Sequence, residues 1–87
     1  MNKYEILNSA IEVYGEKTQE EVAVEELSEL IQAIIRKHRG RVHNIAEEIA
    51  DVEIMLEQLK IINDCSIQVD GFVAQKLLRL EERLKEQ

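Results

Sequence analysis

Two short acidic segments carry the chemistry this sequence offers: Glu25-Glu26-Leu27-Ser28-Glu29-Leu30 and Glu47-Glu48-Ile49-Ala50-Asp51-Val52. In each, two carboxylates stand three residues apart, Glu26 with Glu29 and Glu48 with Asp51. On a helix that spacing stacks them one turn above each other on one face. Like charges so placed repel, and the cost grows if the face is partly buried. A divalent cation would remove the cost. Hard oxygen donors suit Mg²⁺ or Mn²⁺, which keep positions open for water and phosphate oxygens. Spacing alone also fits a solvated helix face, because 33% of the chain is charged.

The elements that must position these acids read as helices nearly throughout. Asn2 with Glu5 is a capping box opening a first helix, whose Leu7, Ala10, Ile11 and Tyr14 share a face until Gly15 stops it. Thr18 with Glu21 reads as a second capping box, with a helix running to about Arg39. Its apolar stripe is Val24, Leu27, Ile31, Ile34 and Ile35, with Ala23 and Leu30 beside it. Arg36, Lys37 and Arg39 crowd its end, where the helix dipole favours cations, and Gly40 closes it. Asn44 with Glu47 reads as a third box, opening a helix with Ile45, Ile49, Val52, Leu56 and Leu59 on one stripe. After a polar turn at Asn63-Asp64-Cys65-Ser66, Asp70 caps a last helix carrying Val73, Leu77, Leu78, Leu80 and Leu84. The expectation is one domain, residues 1–87: all-α, an antiparallel bundle of about four helices. The short turn from Gly40 to Asn44 makes the second and third helices antiparallel, so the two acid pairs could face each other.

Bulk composition narrows the partners. The net charge of −7 excludes a broad basic face for a nucleic acid polymer and disfavours anionic membranes. A small phosphorylated ligand stays open, because a bound cation inverts the local field. There is no proline, and only Tyr4, Tyr14 and Phe72 are aromatic, so the helices are unobstructed and the core must be aliphatic. The single Cys65 forms no internal disulfide, no secretory leader is legible after Met1, and no apolar run reaches membrane-spanning length. A cytoplasmic location is the default expectation.

The acidic segments, together with Tyr14-Gly15, Gln19, Leu30, Ala33 and Val52, make the chain resemble the MazG-like branch of the all-α NTP pyrophosphohydrolases. That superfamily carries E-E-x-x-E and, after a variable gap, E-x-x-D. The gap here is eighteen residues, Leu30 to Glu47, and the resemblance runs from about Tyr14 to the last helix. It implies hydrolysis of a nucleoside triphosphate to monophosphate and pyrophosphate with Mg²⁺ or Mn²⁺. It implies that Glu26, Glu29, Glu48 and Asp51 are metal ligands. It implies that Glu25 orients or deprotonates the attacking water. It also implies a homodimer or homotetramer with sites assembled from more than one chain, which suits a chain too short to bury a large core. Lys76 and Arg79 fall where the family often places basic residues, and are carried as phosphate contacts.

Each further candidate has a plain alternative. Lys76, Arg79 and Arg83 share one helix face and could equally pair with Glu81, Glu82 or Glu86. Gln19 lies two turns before Glu26 on the same face, placed to touch a base or sugar or to be an ordinary first-turn residue. His38 and His43 flank the basic turn, without metal-binding spacing to the acids. No Glu-x-x-His is present, which sets a di-iron bundle aside. Besides the enzyme, a non-catalytic nucleotide- or metal-binding relative and a helical dimerisation module remain open.

Overall fold

The computed structural model describes residues 1–87 as four helices without strands: α1 Lys3–Tyr14, α2 Glu16–His38, α3 Ile45–Ile62 and α4 Ser66–Lys85. Asn2 caps α1 as expected: its Oδ1 accepts from the Glu5 N–H at 2.8 Å and its Nδ2 donates to Glu5 Oε1 at 3.1 Å. Gly15, at φ 93, is a one-residue corner that ends α1 and starts α2 at once. Thr18 is therefore inside α2 and caps nothing, because a positive φ at Gly15 has already turned the chain.

The ends of α2 and α3 close in the same way. Arg41 N–H returns to Arg36 C=O at 2.9 Å around Gly40 (φ 67), and Cys65 N–H returns to Lys60 C=O at 3.1 Å around Asp64 (φ 47). Both are Schellman closures, one on glycine and one on a residue that must enter the left-handed region. The reversal at Asp64 lets α4 begin at Ser66, so Asp70 lies within the helix rather than capping it. Asn44 occupies the N-cap position of α3, but its side chain makes no cap bond.

α2 and α3 form the principal antiparallel pair, and α1 lies against both. Their mutual face departs from the expected stripe on α2 and keeps Val52 of the expected stripe on α3. On α2 the inward line is Gln19, Ala23, Glu26, Leu30 and Ala33; on α3 it is Glu48, Val52, Met55 and Gln58. The larger aliphatics point out: Val24, Leu27, Ile31, Ile34 and Ile35 are all exposed, as are Ile49 and Leu56. Alanines at positions 23 and 33 are small enough for the two helices to meet closely, which the branched stripe would prevent.

α4 touches α3 alone and buries no residue. The expected four-helix bundle is therefore not closed within one chain. The radius of gyration is 16.0 Å, against about 12 Å for a compact chain of this length. No helix is long and apolar enough to cross a membrane.

Candidate metal centre

The seam between α2 and α3 is laddered by polar side chains. Antiparallel pairing sets Glu26 against Asp51 and Glu29 against Glu48, each α2 glutamate near enough for its partner to raise its carboxyl. Gln19 precedes Glu26 by seven residues and Gln58 follows Asp51 by seven, so the same register brings these two amides together. Gln19 Nε2 donates to Gln58 Oε1 at 2.6 Å in a buried contact. One carboxylate oxygen each from Glu26, Glu29 and Glu48 lies within 4.8 Å of the others. Asp51 stands beside that triad, half-buried, facing Glu26.

Burial runs from closed to open across the cluster. Glu48 is only 8% exposed, Glu26 is half-buried and Glu29 is exposed at the mouth. The Oε2 atoms of Glu26 and Glu48 are enclosed without a hydrogen-bond donor. Enclosed acceptors of this kind are costly, and most native ones are satisfied. Neither ion pair of the chain, Lys60–Glu57 at 2.9 Å and Lys85–Glu81 at 3.8 Å, reaches them. Burial first, then the charge on Glu29, then Asp51 and Glu48, push the Glu26 carboxyl above the ordinary carboxylate range. The charge on Glu48 first, then burial, the hydrogen bond to Glu48 and the charges of Asp51 and Glu25, do the same to Glu29. Convergent carboxylate oxygens, enclosed acceptors without donors on two of the same residues, and mutual repulsion fit a hard divalent cation.

The other expected site residues are dispersed. Glu25 is exposed on α2, near enough to Glu29 for its charge to be felt. Gln19 is buried with its amide engaged by Gln58, rather than presented to solvent. Lys76 and Arg79 are exposed on α4, a helix with no contact to α2. His38 and His43 are exposed at the turn; His43 Nδ1 accepts from the Ile45 N–H at 3.4 Å. Two polar residues were not singled out from the sequence as parts of the site. Gln58 was visible only once the register was known. Asn44, four residues before Glu48, donates its Nδ2 to Glu48 Oε1 at 2.9 Å.

No cavity of the chain is lined by any of the four acids. One groove of about 430 Å³ lies among Lys3, Ile54, Leu59, Lys60, Cys65 and Val69; another of about 620 Å³ runs along Glu20, Ala23, Val24, Leu27 and Leu59. The acids thus sit on an open seam, with the apolar hollows elsewhere. The class that fold and site define is an all-α protein with a carboxylate cluster between two antiparallel helices. Searches against protein-family models, curated proteins and solved structures return no match.

Proposed function

We propose that the chain is a metal-dependent nucleoside triphosphate pyrophosphohydrolase, converting an NTP or dNTP and water to the monophosphate and pyrophosphate in a cytoplasmic house-cleaning or pool-regulating role. The observation that carries this reading is the seam itself: three glutamate oxygens within 4.8 Å, with two enclosed Oε2 atoms that have no donor. The motif resemblance supplies the reaction.

Glu26, Glu29 and Glu48, with Asp51 beside them, would hold Mg²⁺ or Mn²⁺. A cation held there would supply charge to neutralise phosphate oxygens and to polarise an attacking water. Glu25, exposed and adjacent to the mouth at Glu29, accepts the water's proton. Gln19, locked to Gln58, holds the seam rather than contacting a base or sugar within one protomer. Lys76 and Arg79 neutralise the leaving phosphates. Because α4 stands off from α2, this reading has them act across protomers of a homodimer or homotetramer, which would also wall the open seam.

The test is incubation with a panel of NTPs and dNTPs plus Mg²⁺ or Mn²⁺, with detection of monophosphate and pyrophosphate. A helical dimerisation module is the second reading, favoured by the uncovered apolar face of α4. Metal that leaves the melting temperature unchanged would select it, since a ligand that binds only the native state raises stability. Tight nucleotide binding without turnover would select a non-catalytic relative.

A further inference from the structure

Asn44 has two tasks open to it, and the structure shows it performing only one. It stands at the N-cap of α3, where asparagine ordinarily turns its side chain onto a first-turn N–H. Its backbone, at φ −126 and ψ 46, is not in the extended conformation that a cap uses, and no side-chain cap bond forms. The carboxamide instead reaches one turn along the helix and donates Nδ2 to Glu48 Oε1 at 2.9 Å. Glu48 is the most buried acid of the seam, and its other oxygen, Oε2, is enclosed with no donor.

We infer that Asn44 is a positioning residue for the metal centre: it fixes one oxygen of Glu48 so that the other faces the carboxylate triad as a ligand atom. The inference rests on the reading of the seam as a cation site and adds a residue to it. A glutamate side chain has three rotatable bonds, and a donor on one oxygen removes the freedom to swing away. It also sets which oxygen is left for the cation. Groups that orient ligands in this way typically contribute 10–100-fold to metal affinity. A carboxylate at position 44 could not donate and would add to the repulsion within the seam. Leaving the helix end without its side-chain cap offsets part of the gain, a local cost accepted for the orientation of one ligand.

The experiment compares the intact chain with Asn44→Ser and Asn44→Ala, and Glu48→Gln as the ligand-loss control. Mn²⁺ binding is followed by calorimetry and by the Mn²⁺ electron paramagnetic resonance spectrum, and the metal-free melting temperature is measured alongside. Serine is a good cap but too short to hold Glu48 Oε1. Asn44→Ser should therefore bind Mn²⁺ about 10–100-fold more weakly than the parent, with an altered spectrum. Asn44→Ala should lose affinity similarly. Parent-like Mn²⁺ affinity in both variants overturns the inference while leaving the site intact. A parent-like Mn²⁺ spectrum in variants whose affinity falls assigns Asn44 to the helix end, and also overturns it. No Mn²⁺ binding by the parent chain removes the site reading itself, and the role of Asn44 with it.

Discussion

At the scale of single residues, the seam brings the carboxylates of Glu26, Glu29, Glu48 and Asp51 together. Glu48→Gln removes one such charge at the most buried position. The metal-free variant should be more stable than the parent by on the order of 1 kcal/mol, while turnover falls to background. Asp51→Asn should likewise abolish turnover with the fold retained. Chemical denaturation and pyrophosphate release read the two effects, and retained turnover in either variant would sink the site assignment. The raised carboxyls of Glu26 and Glu29 also give a pH signature. The folded state holds these protons at a pH where the unfolded chain has lost them. Their contribution is complete below the ordinary glutamate value and is lost as pH rises through the raised folded value. Glu57, lowered by its hydrogen bond with Lys60, works oppositely: its contribution is present above the ordinary value and fades as pH falls through the lowered one. Metal-free melting temperatures should therefore rise as pH falls through the raised values of Glu26 and Glu29, and Mn²⁺ should reverse the trend, because it binds the deprotonated acids and releases their protons.

At the scale of elements, the register of α2 on α3 decides whether the acids meet at all. Gln19 and Gln58 are a buried polar rung in that register. Gln58→Leu leaves the Gln19 amide unpaired and should cost about 1–3 kcal/mol in urea unfolding. Adding Gln19→Leu should recover most of that stability but not Mn²⁺ affinity, because two leucines specify alignment less sharply than an amide pair. Equal Mn²⁺ affinity in the double variant would separate the rung from the site. The α3–α4 turn gives a second test. Asp64 sits at φ 47 with no glycine to relieve it, so Asp64→Gly should stabilise by up to about 1 kcal/mol in the same assay. The helices themselves were legible: the apolar period, the Asn2 cap and the stops at Gly15 and Gly40 mark them. The starts of α2 and α4 were not, because positive φ at Gly15 and Asp64 turns the chain before Thr18 or Asp70 can act as a cap.

At the scale of the molecule, α4 is an arm without a cover. Phe72, Leu77, Leu78 and Leu84 are each about 60% exposed, and the outer stripes of α2 and α3 are open as well. Val73, Leu77, Leu80 and Leu84, at i, i+4, i+7 and i+11 of α4, share one exposed face, and an exposed apolar face predicts association between copies. Sedimentation should show a species larger than the monomer, and Leu77→Glu with Leu84→Glu should shift it to monomer and lower the melting temperature. A parent chain that stays monomeric at high concentration would remove the cross-protomer role given to Lys76 and Arg79.

By itself the sequence determined that the chain is helical and that Glu26 neighbours Glu29 and Glu48 neighbours Asp51, because the helical period fixes angles within one helix. The period does not say which face meets a neighbour. The branched stripe from Val24 to Ile35 was the stronger apolar signal, yet the Ala23 and Ala33 face is what α3 meets, and it carries the acids inward with it. Only the tertiary structure decided that Glu29 faces Glu48, that Gln19 is locked to Gln58, and that Asn44 serves Glu48 instead of its own helix end. Those contacts join residues by register and side-chain direction, which spacing along one strand of sequence does not encode.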